Sequence, residues 1–166
     1  MSCLGVLFSI NQTTVDIITQ LSSEEERVDY VREVIEPDYF DNQPQWVAEL
    51  SKSWDALHRS LTDGEIDWDN GKFPLNHVIF GGEILSDGDY IIVLKKKEQV
   101  VEIAQAVSQV TEEKLREGYL LIETENYDGS VSEEDFQDTW QWFESSIEFW
   151  QKAASESRDV LFTVDQ

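Results

Sequence analysis

The chain has 166 residues and carries 35 Asp and Glu against 12 Lys and Arg, a net charge of −23. A surface this acidic repels nucleic-acid phosphates and anionic membranes and favours basic partners or cations. The single cysteine, Cys3, leaves no internal disulfide and no thiolate metal cluster, and no run of about 18 apolar residues is available to span a bilayer. The acid is not a tail. Residues 1–83 hold 16 acidic and 5 basic side chains, and residues 84–166 hold 19 and 7. With 40% hydrophobic and 11% aromatic residues, so even a spread predicts one folded domain over residues 1–166 with an acidic surface. The N-terminus lacks the basic region of a signal peptide, so a cytoplasmic location is expected.

Leu4 to Ile10 reads as a strand buried on both faces. Asn11 is placed to cap a helix carrying Val15, Ile18 and Leu21. Ser23 and Glu26 have capping-box spacing ahead of a second helix with Val28, Val31 and Ile35 inward, which Pro37 is expected to end, with loop from Pro37 to Pro44. Pro44 suits the first turn of a third helix, because Trp46, Leu50, Trp54, Leu57 and Leu61 fall within one stripe. Asp63-Gly64 stops it, and residues 62–73 form an acidic loop. Leu75 to Phe80 is short and apolar, equally readable as helix or strand, and ends in Gly81-Gly82. Tyr90 to Leu94 is a strand, followed by a helix from about Glu98 to Val110 with Val100, Ile103, Ala104 and Val107 inward, continuing over Thr111 to Glu117. Ser132 opens the longest helix, to about Ser155, and Asp159 to Val164 closes the chain as a strand. Few strands and many helices predict an α+β fold: a single compact domain whose small sheet includes the N- and C-terminal strands, packed against several helices.

Several groups of residues carry chemistry worth weighing. On the last helix Phe136, Trp140, Phe143, Ile147 and Trp150 form a core stripe, while Trp142 and Phe149 lie roughly 100° off it. Either that helix is nearly central or these two aromatics show at the surface. From Glu117 to Gln151 there are ten acidic residues and no basic one, so exposed aromatics there would form a docking surface for a basic protein. Residues 124–135 are similar to a calcium-binding EF-hand loop at Asn126, Asp128, Gly129 and Val131, but Thr124 and Asp135 stand where Asp and the bidentate Glu belong. His58 lies four residues after Trp54, and with His77 and Glu83 it could serve as a base or ligand; a packing role for a half-buried histidine is the commoner alternative. No serine-nucleophile elbow, phosphate loop or zinc-protease helix is present. Lys95-Lys96-Lys97 is the only basic run and reads as a solubilising strand end.

The string Trp54-Asp-Ala-Leu-His58, then Leu61-Thr62, Gly81-Gly82-Glu83, Val100-x-x-Ile103-Ala104 and Leu115-Arg116 resembles the YfbM-like family of bacterial proteins of unknown function. Phe143, Phe149-Trp150, Ala153-Ala154, Val160-Leu161-Phe162 and the opening Met-x-Cys-x-Gly are similar too. The likeness covers nearly the whole chain and departs between Tyr119 and Ser132, where members usually carry Tyr-Pro. It implies a compact α+β domain, bacterial and cytoplasmic, with Trp54 and His58 as signature residues and no established activity.

These readings converge on a non-enzymatic interaction module that binds a basic partner, inhibitor- or immunity-like, using Trp142 and Phe149 as anchors. The alternative is a small-molecule-binding domain or weak hydrolase with a pocket at Trp54, His58 and Glu83. A nucleic-acid mimic and a degenerate calcium loop rank below these. No catalytic residue, metal or cofactor is expected, nor direct binding to nucleic acid or membrane.

Overall fold

Three strands meet at the middle of the molecule because their apolar runs can be buried on both faces only inside a layered fold. In the computed structural model, which describes residues 3–166, β1 (Gly5–Ile10), β2 (Val47–Ser51), β3 (Glu83–Asp87), β4 (Tyr90–Lys95) and β5 (Asp159–Asp165) form one sheet in the order β2-β1-β5-β4-β3. Met1 of the opening motif lies outside the described residues. Every neighbouring pair is antiparallel. Leu7 lies opposite Phe162 and Phe8 opposite Leu161, so the period-two alternation sends Leu7, Ile91, Val93 and Phe162 to one face and Phe8, Ile10, Ile92 and Leu161 to the other.

Helices cover both faces. On one side α1 (Gln12–Gln20), α2 (Glu24–Tyr30) and α3 (Glu36–Asn42) contribute Val15, Ile18 and Tyr39, with Val31 and Ile35 from the turn between α2 and α3. On the other side α4 (Trp54–Leu61), α5 (Lys97–Val107), α6 (Glu112–Tyr119) and α7 (Glu133–Ser155) bury Leu57, Ile103, Leu115, Phe143 and Trp150. The result is the expected α+β domain, with the terminal strands paired at the sheet's centre. The caps are local and form as the spacing predicts: the Asn11 side chain accepts from the Thr14 amide at 2.9 Å and the Ser132 hydroxyl from the Asp135 amide at 3.1 Å.

Four expectations need correction. Pro37 does not end the second helix. A π-turn over Val31–Ile35, with the Glu36 amide bonding back to Val31, widens the coil just before the proline, and α3 continues through it. The third helix does not start at Pro44. Pro44–Trp46 is a single 3-10 turn, and Val47 and Ala48 then pair with Phe8 and Leu7 of β1. Ser51, with φ of 51°, breaks that strand before α4 begins; pairing to β1 outweighs the four-residue spacing of Trp46, Leu50 and Trp54. Thr111 starts a separate helix, α6, by capping the Lys114 amide. Leu75 to Phe80 is neither helix nor strand beyond a 3-10 turn at Leu75–His77.

Candidate functional site

Trp54 opens α4 and ties it to the chain's beginning. Its indole N–H donates to the Cys3 carbonyl at 2.9 Å, and its ring packs on Phe80 and Phe162. A Cβ on Gly5 would sit 2.8 Å from the Trp54 Cβ, so the β1 backbone reaches the indole only with glycine there. One turn later His58 is 1% exposed. Its Nε2 faces the Asn70 Oδ1 at 2.7 Å and the Asp67 carbonyl at 3.1 Å. Asn70 directs its amide hydrogens to Thr62, Asp63 and the Glu65 carbonyl, so the ring donates through Nε2, and Nδ1 has no partner among the described residues. Burial pulls the His58 pKa below its ordinary value, against the pull of the Asn70 and Asp67 hydrogen bonds. What this imidazole does is clamp the acidic loop onto α4.

The other expected members of that group stand apart. Glu83 is exposed at the start of β3, 3.9 Å from Lys96 in a weak surface pair. His77 donates from Nδ1 to the Asn76 side-chain oxygen at 2.8 Å, and its Nε2 lies 3.5 Å from the Gln99 amide; burial, then the charge of Lys95, lowers its pKa to about 4. Neither of the two cavities described below is lined by Trp54, His58 or Glu83.

Lys95 is the largest departure from the sequence reading. It does not solubilise a strand end. It is fully buried, and its Nζ donates to the carbonyls of Ile79 and, at 2.5 Å, Gly81. Burial holds its pKa well below the usual lysine range. A second buried polar group was missed: Arg59, 2% exposed, pairs with Asp55 at 2.5 Å and donates to the carbonyls of Asn126 at 2.7 Å and Gly64. Burial raises the Asp55 pKa, with Arg59 opposing it. At the end of the EF-hand-like run, the Asp135 carboxylate accepts from the hydroxyls of Tyr119 at 2.6 Å and Tyr127 at 2.8 Å. That carboxylate is thereby spent on joining α6 and the 124–131 loop to α7. Among the described residues, no three His, Cys, Asp or Glu side chains gather as a metal site.

Trp142 and Phe149 do come together. Helix α7 packs against α5 on one flank and β2 on the other, which is why so wide a face is covered. Phe149 is buried and Trp142 half-buried. Both line a groove of about 460 Å³ between α7 and β2, closed by Pro44, Val47, Glu49 and Glu148. Lys152 stands at this groove but is turned onto the Trp46 ring, 4.3 Å from its centroid, with Arg158 stacked there too at 3.9 Å. Strand β2 is an edge strand, paired among the described residues with β1 alone, so one side of its backbone has no strand partner there. Trp142 and Glu49 also wall a second cavity of about 290 Å³, where Arg32, Glu36, Phe40, Tyr90 and Asp165 converge.

The fold and its open edge define a three-layer α+β domain with an acidic, aromatic-walled groove beside an edge strand. The chain matches, over residues 1–163, the family model for a domain of unknown function, DUF1877, and belongs to that family. Its fold is similar to that of YfbM, a protein of unknown function from Escherichia coli, with a TM-score of 0.63, 17% identity, and coverage of 97% of this chain and 99% of that one. No curated protein matches the sequence. No helix among the described residues is long and apolar enough to cross a membrane.

Proposed function

We propose that this protein is a non-enzymatic interaction module, acting in the cytoplasm, that binds a basic protein partner in the groove between β2 and α7, in the manner of an inhibitor or immunity protein. The observation that carries this is the placement of Trp142 and Phe149 along an unpaired strand edge. An open edge offers backbone hydrogen bonds to an incoming strand, and aromatic walls supply the apolar contact. The net charge of −23 draws a basic partner in and raises its rate of association.

The test is reconstitution with purified components. A basic protein captured at low salt is identified, produced separately, and its Kd measured against the wild type and Trp142→Ala. The reading expects a Kd that weakens steeply between low and moderate salt and rises at least about tenfold on Trp142→Ala, as for an anchor residue. A Kd insensitive to both salt and Trp142→Ala refutes it.

A further inference from the structure

The groove ends against the second cavity, and the lining of that cavity is unlike the groove's. Three carboxylates, Glu36, Glu49 and Asp165, face one guanidinium, Arg32. Arg32 pairs with Asp165 at 3.0 Å, and its guanidinium lies 4.8 Å over the Tyr90 ring. Glu36 accepts from the Tyr90 hydroxyl, so that phenol stays a neutral donor; among the described residues Glu49 has no ion-pair partner. The lining is therefore two charges negative, and Phe40, Tyr90 and Trp142 supply aromatic faces to the same space. A volume of about 290 Å³ lies just below the range of ~300–1,000 Å³ for ligand pockets. It holds one long side chain rather than a whole ligand.

We infer that this cavity is a specificity pocket for an arginine side chain of an extended basic segment lying along β2, with Trp142 and Glu49 forming the wall shared by pocket and groove. The inference rests on the groove reading above and adds the chemistry of its occupant. A strand added beside β2 would run about 4.8 Å from it, within an arginine's reach of Ser51 and Glu49, two residues that line the cavity. Arginine fits better than lysine, because a planar, weakly hydrated guanidinium stacks on aromatic faces while pairing with carboxylates. Arg32 over Tyr90 already shows that geometry within this wall.

The probe is an acetylated seven-residue peptide of alternating threonine and arginine, compared with the same peptide carrying uncharged citrulline. Binding is read from the Trp142 indole resonance, assigned with Trp142→Phe. Because a −23 field attracts any basic peptide, Glu36→Gln and Glu49→Gln are compared with Glu117→Gln, which removes the same charge from α6. Glu36→Gln keeps an acceptor for Tyr90, so the fold is retained. The pocket predicts about tenfold tighter binding of the arginine peptide, several-fold loss with Glu36→Gln and Glu49→Gln, and little loss with Glu117→Gln. Equal binding of both peptides, or equal losses in all three variants, overturns the pocket while leaving the groove. No movement of the Trp142 resonance with either peptide overturns both.

Discussion

Replacing Lys95 by methionine separates the two consequences of burying an amine. The Lys95 amine donates to two buried carbonyls, those of Ile79 and Gly81. Lys95→Met keeps the length of the side chain but strips both donors, at roughly 1–3 kcal/mol for each carbonyl left unpaired in the interior. Part of this is offset, because methionine no longer carries an amine out of water. A net loss of about 2 kcal/mol at pH 7 is expected. The pH dependence is the sharper signature. Burial lowers the amine's pKa in the fold, whereas the unfolded chain titrates near 10.4. Wherever the folded amine is neutral and the unfolded one charged, unfolding takes up a proton, so wild-type stability rises with pH by up to about 1.4 kcal/mol per unit. Lys95→Met lacks this term, so the gap between the two proteins widens from pH 7 to pH 9. Urea unfolding followed by tryptophan fluorescence measures it, and effects common to both proteins cancel in the difference. A gap that stays constant over this range would show that Lys95 is buried as an ammonium. A variant more stable than the wild type at pH 7 would show that the two carbonyls do not depend on it.

Three other outcomes follow from the same structure. Gly118 of α6 lies against α4 so closely that a Cβ would stand 1.8 Å from the Ser60 carbonyl oxygen; Gly118→Ala should cost about 2–3 kcal/mol as helices α4 and α6 are forced apart, read as a Tm drop against Gly88→Ala, whose Cβ would meet nothing. His77 titrates near pH 4 in the fold and near 6.5 unfolded. The unfolded state therefore binds more protons between these values, and stability is lost as pH falls through the window; His77→Gln should remove about 1–2 kcal/mol of that acid loss after allowance for partial exposure, with an unchanged acid limb counting against it. The excess of carboxylates over five ion pairs among the described residues predicts a Tm that climbs from low to moderate salt, and a flat or falling Tm would refute a repulsive surface.

What could be read from the sequence was what is decided locally. The runs at Leu4–Ile10, Tyr90–Leu94 and Asp159–Val164 and the caps at Asn11, Ser23 and Ser132 each carry their own signal within a few residues. Strands β2 and β3 do not. They are five-residue edge strands, and Glu83-Ile-Leu-Ser-Asp87 buries only Leu85 and Ser86, so pairing with β1 and β4 rather than pattern makes them strands. Lys95 was within reach: strand alternation puts it on the same face as Ile91 and Val93, towards the helices. The basic run it heads pointed outward only because Lys96 and Lys97 follow the strand's end. Trp142 and Phe149 could be singled out from their angle on α7, but the groove depends on β2, and the stripe through Trp46 and Leu50 concealed that strand.

Apart from Phe149, which belongs to both sets, the residues that carry the family likeness and those that wall the groove play different physical parts. Trp54, His58, Gly81, Ile103, Ala104, Leu115, Phe143 and Trp150 are all buried. Trp54 hydrogen-bonds the start of β1, His58 holds the acidic loop, and the Gly81 carbonyl receives the buried amine of Lys95. Such residues specify the three layers, and a fold shared at 17% identity requires little more than this kind of interior agreement. The proposed recognition needs groups that reach solvent, and the candidates for it lie elsewhere: Glu49 on the open edge, Trp142 half-buried between two cavities, and Glu36 and Asp165 at the far wall. Substitutions in the first set should therefore lower Tm and, where the protein still folds, leave affinity for a basic segment intact. Substitutions in the second should change affinity with little effect on Tm. A Trp54→Phe protein that folds but loses binding, beside a Trp142→Ala protein that binds normally, would reverse this assignment and return the site to the core of the signature.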